Sequence, residues 1–180
     1  GFSMSGKQAT VISDNGNEVK EQYNIVPADS LITSNSAKRG LAVNPAYPKE
    51  LQPRDRQRVA MEQQVTEMSH NLRPEDLADS RNLNEGAPIG RSDKVVLNGN
   101  GRSISIIRAL KGSPNSKVAK SYYKYLVSNA ERLGFDRQAV LDMVIGKKEP
   151  ILVREVDGNI SDKAMQDIIG STAGGSRMGA

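Results

Sequence analysis

The 180 residues predict an α/β domain of mixed α and β structure, a small mixed sheet with flanking helices. Three observations carry this. Pro150-Ile151-Leu152-Val153-Arg154-Glu155-Val156 reads as a buried strand. An Asp14-Asn15-Gly16-Asn17 turn separates two strand-like segments near the N terminus. Between Asp55 and Val144 apolar residues recur at helical spacing.

Taken in order, Thr10 to Ser13 and Val19 to Val26 form a hairpin around the Asn15-Gly16 turn. Residues 33–48 are loop, punctuated by Gly40, Pro45 and Pro48. Met61, Val65, Met68 and Leu72 share one face of a helix over 55–72. Arg73-Pro74 breaks it, and Pro74 suits the first turn of a short helix over about 75–83, ended by Gly86. Ala87-Pro88-Ile89 and Lys94 to Leu97 are short strands. A glycine turn, Gly99-Asn100-Gly101, leads into a helix over Ser103 to Lys111. Val118, Tyr122, Tyr125, Leu126 and Leu133 mark a longer helix over 116–133, closed by Gly134. Asp136 caps a helix reaching Val144, and a last helix covers about 162–169. The expected organisation is a flexible segment or tag over 1–18, with Gly1-Phe2-Ser3-Met4 resembling a cloning remnant. A domain follows over 19–169 and a flexible tail over 170–180.

Composition excludes several chemistries. With no cysteine, the chain has no disulfide, no thiolate nucleophile and no thiolate metal site. A single histidine, His70, makes a zinc enzyme an unsuitable reading. His70 sits near a helix end, where it can meet the last carbonyls. No apolar run reaches the roughly 20 residues that span a bilayer, so no membrane partner is expected. The net charge of +4 is unevenly placed. Lys94, Arg102, Arg108, Lys111, Lys117, Lys120 and Lys124 fall in a stretch without Asp or Glu, which leaves the rest of the chain net acidic. Such a block suggests an anionic ligand; a solvated lysine face is the plain alternative.

The strand, glycine turn and helix over 95–110 form the sharpest feature. Gly99 and Gly101 let backbone approach a ligand closely. The helix start offers free N–H groups and the positive end of its dipole, and Arg102 adds a planar fork of donors. The expected phosphate contacts are therefore Gly99, Asn100, Gly101, Arg102 and Ser103, with Arg54 and Arg108 as secondary contacts. This is neither the Walker loop nor the dinucleotide fingerprint, whose third glycine is missing. Among the tyrosines of the basic block, Tyr122 and Tyr125 lie on the apolar stripe, and Tyr123 is the candidate for stacking on a base.

Leu51-Gln52-Pro53-Arg54, then Gly86-Ala87-Pro88-Ile89, then Asn98-Gly99-Asn100-Gly101-Arg102 and Pro150 to Val153 occur in one order. That order resembles the ParB/sulfiredoxin-like superfamily. Asn44-Pro45-Ala46-Tyr47-Pro48 through Arg56, with the Gly-Asn-Gly-Arg turn, is similar to the DdrB-like ParB domain of large phage and plasmid proteins. The resemblance implies a compact domain that binds a nucleotide or DNA, as a module of a longer parent protein in the bacterial cytoplasm or phage particle. It implies Arg54 near the phosphate pocket and Gly86, Ala87, Pro88 and Ile89 as a wall for a base; the cofactor stays open, with a nucleoside triphosphate and Mg²⁺ as the candidate. Its members include CTP-dependent DNA clamps, nucleases, a serine kinase and sulfiredoxin. The absent cysteine excludes the last activity. ParB proteins carry Gly-Glu-Arg-Arg at the turn, and this chain lacks that acid. A second phosphate motif, due near residues 168–178, finds no good match. Two rival readings stay open: a metal-dependent nuclease or nucleotide-hydrolysing or phosphotransfer domain using acids from Asp76, Asp79, Glu149 or Glu155, and a structural module without ligand.

Overall fold

The computed structural model describes residues 4–52 and 58–169. Arg54 and the rest of the Gln-Pro-Arg box beyond Gln52, together with the expected tail 170–180, lie outside the described residues. Five strands form one mixed sheet in the order β1 (Met4–Ile12), β2 (Glu18–Pro27), β5 (Pro150–Val156), β3 (Ile89–Gly90), β4 (Val96–Asn98). Only β3 and β5 run parallel; the other neighbours are antiparallel.

The hairpin turns at Asn15-Gly16 as expected, with Gly16 at φ +81° and the Ser13 amide bonded to Asn17 O at 2.8 Å. The sequence places a flexible segment over 1–18, yet β1 already begins at Met4. Its early residues are fixed by pairing with β2 and by the Lys7 N–H, which donates to Leu133 O at 2.8 Å. β5 is buried along its length except at Glu155, because both of its faces are covered and both of its edges are paired.

Four helices fall close to where the sequence places them: α1 (Arg58–His70), α2 (Asn100–Gly112), α3 (Lys117–Ser128) and α4 (Arg137–Ile145). Ser116 Oγ and Asp136 Oδ2 accept from the amides of Ala119 and Ala139 and so start α3 and α4. A further helix covers 162–169; its Ile168 is buried against Val11, Leu83 and Val156. α3 stops at Ser128 rather than near Leu133. Turns carry the chain to Gly134, whose φ of +88° and close approach to Lys7 admit no side chain.

Two expectations are corrected. First, α2 starts at Asn100, so the glycine motif is not a loop before the helix but its N-cap and first turn. Gly99 alone takes the left-handed conformation, at φ +91°. Second, the expected helix over 75–83 is a single 3₁₀ turn, Pro74–Leu77, followed by irregular chain to Gly86. The cause is Arg154 on β5. Its guanidinium donates to Ser80 O at 2.8 Å, Asn82 O at 3.0 Å and Ala87 O at 2.8 Å, and also to Glu85 O. Carbonyls that a helix would satisfy internally point at this arginine instead. The main core packs Tyr23, Ile25 and Leu152 of the sheet against Tyr122, Leu126 and Leu133.

Candidate functional site

A cleft of about 740 Å³ lies between the C-terminal half of α1 and the irregular chain from Asn71 to Gly86. Arg102 is among its lining residues, so the glycine motif borders this cleft. This size is in the range of small-ligand sites.

The geometry of Arg102 follows from the glycine before it. A Cβ built on Gly99 would stand 2.6 Å from one terminal nitrogen of Arg102 and 2.9 Å from its Cζ. The guanidinium therefore folds back over the start of its own helix. One terminal nitrogen donates to Leu83 O at 3.0 Å and to Asn98 Oδ1 at 3.4 Å. The buried Nε–H has no acceptor. Desolvation, and after it the positive charge of Arg154, lower the pKa of Arg102 to about 10, so it stays charged at neutral pH. The Ser103 amide makes the first helical bond, to Gly99 O at 2.8 Å, leaving the amides of residues 100–102 ahead of it. Gly101 is where α1 crosses: a Cβ there would meet Gln64 Oε1 at 2.9 Å.

The remaining expected contacts divide. The Asn100 side chain is buried; its Oδ1 accepts from the Ser34 amide at 2.8 Å and its Nδ2 reaches Tyr47 Oη at 3.3 Å. Ser103 is fully buried and returns its hydroxyl to Gly99 O at 2.9 Å. These two side chains build the turn, and with the Ser103 amide bonded to Gly99 O, only the Asn100 amide of the two is left for a ligand. Arg108 is drawn away by Ala37 O at 2.8 Å, Lys38 O at 3.2 Å and Glu62 at 3.4 Å, and it does not line the cleft. Of the expected base wall, only Gly86 opens on the cleft, at φ +77°. Ala87 and Ile89 are fully buried, and Pro88 gives its carbonyl to the Arg154 amide. This placement goes with the same contacts as the lost helix: the Arg154 amide and side chain bond the carbonyls of Pro88 and Ala87.

Among the acids, Asp76 and Asp79 line the cleft, together with Glu67, Glu75 and Glu85. Glu149 and Glu155 do not: they pair with Lys111 at 2.7 Å and Lys94 at 2.9 Å. Burial pushes the Asp79 carboxyl up, but the hydrogen bond and charge of Arg132, 2.8 Å away, outweigh it and hold Asp79 below its ordinary value. Arg73 pairs with Glu75 and Asp76 at the exposed mouth. Among the described residues no three His, Asp or Glu side chains stand close enough to hold a metal ion. His70 meets the Thr66 carbonyl at 3.4 Å near the end of α1. Tyr123 is half-buried, edge-on to Tyr122 with ring centres 6.3 Å apart; it does not line the cleft.

The basic block is dispersed by the fold. Lys94, Arg108 and Lys111 are paired with acids from elsewhere in the chain, and Arg102 is drawn inward. Lys117, Lys120 and Lys124 remain exposed on α3. No helix among the described residues is long and apolar enough to cross a membrane.

Sequence reasoning missed Arg154, Glu67 and Glu85. Each looks like an ordinary surface charge in the chain; in the fold Glu67 of α1 and Glu85 line the cleft, and Arg154 holds the carbonyls of the segment behind it. A family model, the ddrB-like ParB superfamily domain, matches residues 14–157. No curated protein and no solved structure matches the chain significantly.

Proposed function

The chain belongs to the ddrB-like ParB superfamily, and from that premise we propose that it binds the phosphate end of a nucleotide at Arg102 and the start of α2. One observation carries the reading. A guanidinium folded over a helix N terminus, with an Nε–H lacking any acceptor, borders a cleft of ligand size. A charged fork beside a helix N terminus is a combination that suits a phosphate.

The carboxylates select within the notion of a phosphate ligand. Glu67, Glu75, Asp76, Asp79 and Glu85 around one inward arginine repel a bare polyanion such as a duplex backbone. A compact nucleoside triphosphate carrying Mg²⁺ fits better, since the ion keeps several waters and needs only one or two carboxylates beside the phosphates. The same acids favour one second reading. Asp76 and Asp79 share the cleft with Arg102, so a metal-dependent hydrolytic or phosphotransfer step, including nuclease action, is the alternative on this site. In both readings the domain serves a longer phage or plasmid protein.

The test is a thermal-shift panel of ATP, CTP, GTP and UTP with and without Mg²⁺, beside short single- and double-stranded DNA at low salt. A nucleotide at 100 times its dissociation constant adds about 2.7 kcal/mol to stability. The expected result is a Mg²⁺-dependent shift with a nucleotide, abolished by Arg102→Ala. A shift with DNA alone, fading as salt rises, would replace the nucleotide by a nucleic acid. An Arg102→Ala variant that shifts like the parent would remove the site.

A further inference from the structure

Arg154 occupies the middle of the sheet, opposite Tyr23 of β2 and Ile89 of β3, and is fully buried. The four hydrogen bonds that its guanidinium donates all go to carbonyl oxygens, those of Ser80, Asn82, Glu85 and Ala87. These are neutral dipoles, so they leave its charge whole. Ser80 and Glu85 line the cleft, and Leu83 between them gives its carbonyl to Arg102. One buried guanidinium thus fixes the acceptor that holds the other. The two like charges also repel across a region of low dielectric, which leaves Arg102 biased toward an incoming anion.

The acid that acts on Arg154 is Glu21. It shares the inner face of β2 with Tyr23, and both of its buried oxygens lack any hydrogen-bond donor. The charged and titratable groups around it are Arg154 from β5 and Tyr23 from its own strand. Tyr23 in turn accepts from the Ser80 amide at 3.3 Å and feels Asp79 from the cleft wall.

We propose that Arg154 is a positioning residue for the cleft, shaping its wall from Ser80 to Ala87 and directing Arg102 at an anion, with Glu21 setting how much of its charge is felt there. This rests on the anion-site reading above. A neutral Glu21 leaves Arg154 without a countercharge; an ionised Glu21 supplies one. Burial pushes the Glu21 carboxyl up to about 8, so the hold on an anion weakens as pH rises past that value.

Two arms test this. The first needs no ligand. The amides of Gly86 and Ala87 donate to Asp76 O and Ala78 O, and their hydrogen exchange reports the wall. Arg154→Lys should speed both about tenfold while the Gly146 amide of α4 is unchanged. Unchanged rates at Gly86 and Ala87 overturn the proposal. The second arm uses inorganic sulfate, whose charge is constant over the range, titrated from pH 6.5 to 9.5. Wild-type affinity should fall by about fivefold through pH 8, and Glu21→Gln should give a flat profile. The same fall in both proteins overturns the role of Glu21. An Arg102→Ala protein that binds sulfate as well as wild type, or a wild type that binds none, sinks the anion-site reading instead, and the exchange arm still decides whether Arg154 builds the wall. Should Arg154→Lys fail to fold, Glu21→Gln keeps the second arm decisive.

Discussion

Glu21 is the residue whose burial the chain pays for most visibly. Its carboxyl is enclosed with no donor, and desolvation outweighs the pull of Arg154 to raise its pKa from 4.5 to about 8. The folded state therefore prefers the protonated form. Below pH 4.5 the side chain is neutral in both the folded and unfolded states, and its contribution to stability is complete. Between about 4.5 and 8 the unfolded chain releases the proton and the folded one does not, so stability falls by at most about 1.4 kcal/mol per pH unit. Above 8 the loss is constant. Glu21→Gln should remove this slope and be the more stable protein at pH 9, as urea denaturation at pH 5, 7 and 9 would measure. Parallel curves for the two proteins would show that Glu21 is solvated or bonded after all. Nothing in Glu18 to Val26 announces this residue. It occupies an inward position of β2 by the strand's own alternation, yet a carboxylate there reads as evidence for the opposite face. In the fold it is buried beside Arg154 of β5, far away in sequence.

At the scale of elements, the start of α2 makes the firmest demand. Gly99→Ala puts a side chain at φ +91° and against the Arg102 guanidinium, so a cost of about 1–3 kcal/mol and loss of any nucleotide-induced shift are expected. Gly112→Ala, at the other end of the same helix, meets open space and has no positive φ; it should be neutral or slightly stabilising. Chemical denaturation of the pair checks this, and equal effects at both positions would contradict the described geometry. Much of the element pattern was legible because it is local. Ser116 and Asp136 cap helices with their own side chains, Asn15-Gly16 makes its own turn, and β5 declares itself by an apolar run. The segment after Pro74 was misread because its apolar residues, Leu77, Ala78 and Leu83, are anchored to different parts of the core. The glycine turn is legible in the sequence as a position, but the roles of its side chains are not. Asn100 and Ser103 are polar residues beside a glycine turn, and no local signal says that they bond Ser34, Tyr47 and Gly99 rather than a ligand.

For the whole molecule, charge that is clustered in the chain is scattered in the fold. Three of the block's cations find acids contributed by Asp29, Glu62, Glu149 and Glu155. The three lysines of α3 stay in solvent, away from the cleft lining. Replacing Lys117, Lys120 and Lys124 together by Gln should change stability by no more than about 0.5 kcal/mol and leave a nucleotide-induced thermal shift intact. Loss of the shift in that variant would move the anion site from Arg102 to α3.

The strand order has a consequence for how the chain comes into being. β5, the last strand among the described residues, inserts at the centre of the sheet, between the β1–β2 hairpin and the β3–β4 pair. Until it arrives these are two separate two-stranded pieces, and such pieces are marginal alone in water. During synthesis the chain must keep Val26, Ile89 and Leu97 from other partners until residues 150–156 emerge. The same strand brings Arg154, so the closing of the sheet and the drawing-in of the cleft wall are a single late event, and a ribosome halted before Pro150 would hold neither.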